Sequence, residues 1–156
     1  MPETRVVKSV AELKELIGQE TGVGQWVTIE QERVNQFADV TGDHQFIHVD
    51  PERAAKTPFK GTIAHGYLTL SLQPLLGRDR EGIKMEIPSK MVVNMGTNRV
   101  RFPGPVHVGK RVRLHTKLVS VEEGQGFVEI VNQQTVEVEG AERPGMVAET
   151  VSRLYL

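Results

Sequence analysis

FKGTIAHGYLTLSLQPLLG, residues 59–77, is the most apolar stretch of the chain, and its reading decides the fold. Ile63, Tyr67, Leu68, Leu70, Leu72, Leu75 and Leu76 spread over nearly the whole circumference of a helix that begins between Ala64 and Gly66. A helix that is apolar all round has to be buried on several sides, which makes Tyr67 and the leucines core residues and requires the rest of the chain to wrap around them.

The wrapper follows in sequence. MVVNMGTNRVRFP, KRVRLHTKLVSVEE, GFVEIVNQQTVEVEG and GMVAETVSRLYL are four β-rich runs separated by PGPVHVG, EGQG and GAERPG. Val112, Leu114, Thr116 and Leu118 alternate with Arg111, Arg113, His115 and Lys117, the pattern of a sheet with one wet face. With QWVTIE (25–30) as an early strand, the expectation is an α+β fold: an antiparallel sheet of five or more strands curled around one central α-helix. Arg99, Arg101, Arg111 and Arg113 recur at strand spacing and read as a solvated face.

Before the central helix the signals are helical. SVAELKELIG (9–18) carries Ser9 as a cap, Glu12 to close a capping box, and Leu13, Leu16 and Ile17 as an apolar stripe. Val34, Phe37 and Ala38 lie at helical spacing in QERVNQFADVTG, with Gly42 as the stop. Asp50 then caps a short helix opened by Pro51, which has to end near Thr57 because Pro58 follows.

Composition narrows the class of partner. The 156 residues fit one domain, 1–156, with no repeat, low-complexity tract or linker. Nineteen basic and 20 acidic side chains leave a net charge of −1, which gives no electrostatic case for nucleic acid or an anionic membrane. There is no cysteine, so disulfides, thiolate metal sites and a cysteine nucleophile are excluded. The opening MPETRVVKSV has no apolar signal core, and no run of about 18 apolar residues occurs, so the expected compartment is the cytoplasm.

Between the second helix and Pro51 lies TGDHQFIHVDP (41–51), with two acids and two histidines in eleven residues. Asp43 and His48 stand five apart. A carboxylate that accepts protons, and an imidazole whose unperturbed pKa of about 6.5 lets it give or take one, suit acid–base chemistry on water near neutrality. The bland readings are a turn aspartate after Gly42 and a satisfied, half-buried histidine. His44 and His48 have the spacing of helical zinc ligands, but Gly42 and Pro51 bracket them and only His65 offers a third group, so no metal is expected.

The order of these segments carries a family resemblance. A G-D-x4-H loop, a short helix, A-H-G-x-L-T-x-S-L and then R-F-P-x-P-V-x-V-G-x-x-V resembles the MaoC-like (R)-specific enoyl-CoA hydratases (hydratase 2), in their nodulation-protein-N-like branch. It covers roughly residues 24–155. It implies a single hot-dog fold, no cofactor, an acyl-CoA or acyl carrier protein thioester as substrate, and a homodimer with its sites near the interface. Catalytic roles fall on Asp43 and His48, with the family's usual Asn-Pro between them replaced by Gln45-Phe46. Gly66 matches the backbone oxyanion donor, and Ser71, in the small-residue segment of the helix, is a candidate with His65 for supporting the catalytic pair from behind. A serine sometimes found three residues further on is Pro74 here. His65 reads as a group that orients the helix start, as a support behind the catalytic residues, or as a surface residue. The reaction implied is reversible syn hydration of a trans-2-enoyl thioester to the (R)-3-hydroxyacyl thioester, which makes the protein a hydro-lyase of fatty acid metabolism. A hot-dog thioesterase and a non-catalytic acyl-thioester-binding subunit are the competing readings, because fold alone does not separate them.

Overall fold

The computed structural model of the protein describes residues 4–156; the first three residues of MPETRVVKSV, and with them the start of the expected 1–156 domain, lie outside the described residues. In chain order the elements are β1 (Arg5–Val7), α1 (Val10–Lys14), β2 (Glu20–Val23), β3 (Val27–Thr28), α2 (Gln31–Thr41), α3 (Phe46–Val49) and α4 (Pro51–Ala55). They continue with α5 (Gly66–Ser71), α6 (Gln73–Leu76), β4 (Glu81–Met85), β5 (Met91–Arg101), β6 (Arg111–Gly124), β7 (Phe127–Val138) and β8 (Met146–Tyr155). The strands form one sheet in the order β1-β4-β2-β6-β7-β8-β5, with β3 also paired to β6.

Strands β5 to β8 correspond to the four runs read from the sequence, and their pairings are all antiparallel. QWVTIE, in contrast, supplies only the two-residue β3. The sheet is widened instead by β1, β2 and β4, short pieces without alternation, and β1 runs parallel to β4.

The alternating positions of β6 behave as expected. Val112, Leu114 and Leu118 are buried with Thr116, while Arg111 pairs with Glu139 and Arg113 with Glu137 on the wet face. That apolar face holds two separate cores. Val112, Leu114, Val136 and Met146 pack under α5 and α6 with Leu68, Leu72 and Leu76. Leu118, Val128, Ile130 and Leu154 pack under α1 with Val7, Leu13 and Leu16. Between the two cores Thr116 and Gln134 sit opposite each other, both buried, and the Thr116 hydroxyl donates to Gln134 Oε1 at 2.8 Å.

Several helix signals hold and others shift. Ser9 caps α1 by accepting from the Glu12 N–H, but Glu12 turns to the Lys8 N–H at 2.8 Å. Helix α1 stops at Lys14, so Leu16 is buried from a turn and Ile17 is exposed. Gly42 ends α2 at φ 81°, and Asp50 caps α4 through the Arg53 N–H. The central helix is interrupted at Leu72: Pro74 sits in the first turn of α6, where its missing N–H costs nothing. Leu68, Leu72 and Leu76 are buried, yet Tyr67 is 71% exposed, so the expectation that it is a core residue is wrong; its side chain leaves the helix towards Phe102 instead. A curled, mostly antiparallel sheet around a central helical segment is the hot-dog arrangement.

Candidate active site

The short run 62–64 links α3 to the start of α5 and is fixed on both sides. Ile63 N–H donates to Ile47 O at 3.0 Å, while Ala64 N–H donates to Val106 O at 2.8 Å and Val108 N–H to Thr62 O at 3.0 Å. The 41–51 loop is therefore laid against the head of the central helix.

His48 lies on α3 with 7% of its surface exposed. Its Nδ1 meets the Ile63 carbonyl at 2.7 Å, and because a carbonyl only accepts, the hydrogen is on Nδ1 and the Nε2 lone pair is free. Its own carbonyl accepts from Gln31 Nε2 at 2.7 Å, and Gln31 Oε1 accepts from the Thr62 hydroxyl at 2.6 Å. Burial holds the His48 pKa below 6.5; the neighbouring His65 also pushes it down, while the Ile63 hydrogen bond and Asp43 push it up. Neutral imidazole is thus the resting form at neutral pH.

Asp43 follows the left-handed Gly42 and is exposed. One of its oxygens, Oδ1, accepts from the Gln45 N–H at 3.2 Å, an Asx turn that leaves the other free. Its backbone carbonyl accepts from His65 Nε2 at 2.9 Å. Phe46 opens α3 at the position where the related motif has proline, a place that needs no N–H; the Arg53 guanidinium covers its ring at 4.2 Å.

His65 is 2% exposed and caps α5 without a side-chain cap bond. Its ring stacks on His48 with centroids 3.9 Å apart and planes 24° apart. One coordinating atom from each of Asp43, His48 and His65 lies within 4.8 Å of the others. Each ring already spends one nitrogen on a backbone carbonyl, His48 on Ile63 and His65 on Asp43, which leaves His48 Nε2 and the Asp43 carboxylate as groups that can hold a water.

Gly66, first residue of α5, borders a cavity of about 360 Å³ also lined by His48, Phe59, Ile63, Phe102 and Gly104. Among the described residues no acceptor pairs with the Gly66 N–H. A Cβ at Gly66 would come within 2.8 Å of the Phe102 ring, so the glycine is what lets that ring lie against the start of α5. With only six residues in α5, the donor acts through its local N–H more than through a long helix dipole.

Asp43, His48, His65 and Gly66 are thus brought together, and Ser71 is not. The Ser71 hydroxyl is exposed, donates to Tyr67 O at 2.7 Å and faces a different cavity, beside Asn94 and Thr150. His44 turns outward to Asp39 at 2.9 Å, away from the other histidines. Gln31, Phe59 and Phe102 were not singled out from sequence. Phe102 lies within the R-F-P-x-P stretch, which was a signal for it, whereas Gln31 had none.

Comparison with known proteins agrees with this geometry. The MaoC like domain matches residues 12–141. Over 150 residues the chain is 52% identical to the 3-hydroxyacyl-thioester dehydratase Z of Mycobacterium tuberculosis, covering 96% of this chain and 97% of that protein. It is 43% identical over 146 residues to nodulation protein N of Rhizobium leguminosarum bv. viciae, covering 92% and 89%. Among solved structures, the (R)-hydratase from A. caviae involved in PHA biosynthesis superposes with a TM-score of 0.68 at 26% identity, over 88% of this chain and 96% of that one. With domain, sequence relatives and fold in agreement, the chain belongs to the MaoC-like dehydratase family, hydro-lyases built on the hot-dog fold.

Proposed function

We propose that the protein is an (R)-specific enoyl-thioester hydratase and 3-hydroxyacyl-thioester dehydratase, with Asp43 and His48 as its acid–base pair and the Gly66 N–H as oxyanion donor. The observation that carries this reading is a neutral, buried His48 with Nε2 left to accept and a ring nitrogen within 4.8 Å of an Asp43 carboxylate oxygen, next to the cavity that Gly66 borders. In the hydration direction a water oxygen bonds to C3 as His48 Nε2 takes one of its protons and the free Asp43 oxygen holds the other. The C2–C3 π electrons move into conjugation with the thioester carbonyl, whose oxygen takes the negative charge against the Gly66 amide. They return as C2 takes from His48 Nε2 the proton it accepted, on the face that delivered the water, which restores the neutral imidazole. One water gripped on one face gives syn addition.

The relatives' names, a 3-hydroxyacyl-thioester dehydratase and an (R)-hydratase, support an acyl thioester as substrate. An exposed apolar edge on β5, with Met91, Val92 and Met95 uncovered, supports a homodimer joined at that edge.

The test is loss of the enoyl-thioester absorbance of crotonyl-CoA with wild type, Asp43→Asn and His48→Gln. Rapid loss in wild type and a drop of ~10²-fold or more in each folded variant is expected. Free thiol released from a saturated acyl-CoA, without hydration, would make the protein a thioesterase. Stabilisation by acyl-CoA with no turnover would make it a binding subunit.

A further inference from the structure

We propose that His65 is the positioning residue of this hydration, one buried side chain that sets the spacing between the two members of the acid–base pair. The inference rests on the reading of Asp43 and His48 above and adds a third residue to it.

His65 contacts both partners in different ways. Its Nε2–H holds the Asp43 peptide by the carbonyl at 2.9 Å, and its ring stacks on that of His48 with centroids 3.9 Å apart. Phe37 on α2 meets the same ring at 5.0 Å and 58°, so the imidazole is held against the helix that delivers Asp43 and the helix that carries His48. Because the carbonyl can only accept, the tautomer has its hydrogen on Nε2, and Nδ1 keeps a lone pair that is buried with no partner among the described residues.

That orphaned nitrogen argues against a purely packing role. A leucine or phenylalanine would fill the space without an unsatisfied buried acceptor, and a buried polar atom left unpaired is a cost a core normally avoids. Helix capping does not account for the residue either, since its side chain makes no cap bond. What imidazole supplies and an apolar side chain does not is the N–H to Asp43. Among the described residues no cation is bonded to the Asp43 carboxylate, and its Oδ1 takes the Gln45 N–H inside the loop; the bonds of Ile47 and His48 to Ile63 hold the far end of that loop, and the tether from His65 holds the Asp43 end to the head of α5.

Two substitutions separate the tether from the ring. H65F keeps an aromatic ring against His48 but has no donor; H65Q places an amide N–H near the site of Nε2 and gives up the stack. With crotonyl-CoA, H65F is expected to lower kcat about 10²-fold with KM changed no more than about threefold, and H65Q to recover to within about tenfold of wild type. If H65F does not fold, H65N takes its place, since asparagine suits a helix N-cap but is too short to reach the Asp43 carbonyl; the same loss is expected. Wild-type kcat in H65F or H65N, equal losses in both H65Q and H65F, or a change confined to KM would overturn the proposal while leaving the hydratase reading in place. Long-range nitrogen–proton correlation spectra of the wild-type protein provide a readout independent of activity. A hydrogen on Nε2 of His65 and on Nδ1 of His48 is expected, and a hydrogen on Nδ1 of His65 would overturn the tether whether or not crotonyl-CoA is hydrated.

Discussion

His48 is useful because of what surrounds it. Burial lowers its pKa from 6.5, so the imidazole stays neutral, with Nε2 able to accept, to a lower pH than an exposed histidine would. The acid limb of kcat/KM is therefore expected below pH ~6.5, and an acid limb above that value would contradict the assignment. The same shift sets a sign for stability: the unfolded chain binds this proton more readily, so the contribution is fully present above pH ~6.5 and is lost as pH falls towards the folded value. His48→Gln should flatten that part of a Tm-against-pH curve. Asp43 and His48 were legible in the sequence because D-x4-H sits among flanking segments that match in order. The Ile63 carbonyl that fixes the tautomer was not, since a backbone acceptor has no residue signature. Where the Ser71 hydroxyl points was not legible either, because a helical serine can satisfy itself on the carbonyl four residues back, which local sequence does not reveal.

Glycines govern two contacts between elements, with opposite expectations. A Cβ at Gly24, between β2 and β3, would overlap the Leu76 carbonyl at the end of α6, and backbone does not step aside as a side chain does. Gly24→Ala is expected to cost about 1–3 kcal/mol and lower Tm by about 2–10 °C. At Gly66 the obstacle is the Phe102 ring, 40% exposed, and a side chain can turn aside where a backbone carbonyl cannot. Gly66→Ala should thus leave Tm nearly unchanged while lowering kcat/KM by about 10–10²-fold, because the displaced ring and the new methyl crowd the cavity. Thermal melts and steady-state kinetics on the pair distinguish the two cases; a large Tm loss in Gly66→Ala would refute the second. Long strands with clean alternation, β6 above all, could be read directly, and so could the caps at Ser9, Gly42 and Asp50. The break at Leu72 and the strands β1, β2 and β4 could not, because three to five residues without a period are recruited by the sheet edge they join rather than by their own pattern.

At the scale of the molecule the sheet ends on one side in β5, an eleven-residue strand paired only to β8 and bulged near Gly96 and Arg99. An apolar edge of that length is expected to be closed by a second copy. Sedimentation of the wild type should give a dimer, and Val92→Lys with Met95→Lys should give a monomer; a wild-type monomer would refute the edge as an interface. The curled sheet around a helix was legible from the surplus of apolar residues in 59–77, whereas the division of the interior into two cores was not, because it depends on which strand segments lie beneath which helix. The buried Thr116–Gln134 pair between those cores has a consequence for how the chain finds its alignment. Alternation alone prevents β6 from slipping by one residue against β7, since that would turn every apolar side chain outward. It does not prevent a slip of two, which keeps Val112, Leu114 and Leu118 facing inward. Such a slip sets Gln134 against Leu114 or Leu118 and strands its amide among apolar side chains. The pair is thus the key that indexes one hairpin to its partner, and it contributes more to the uniqueness of the fold than to its depth.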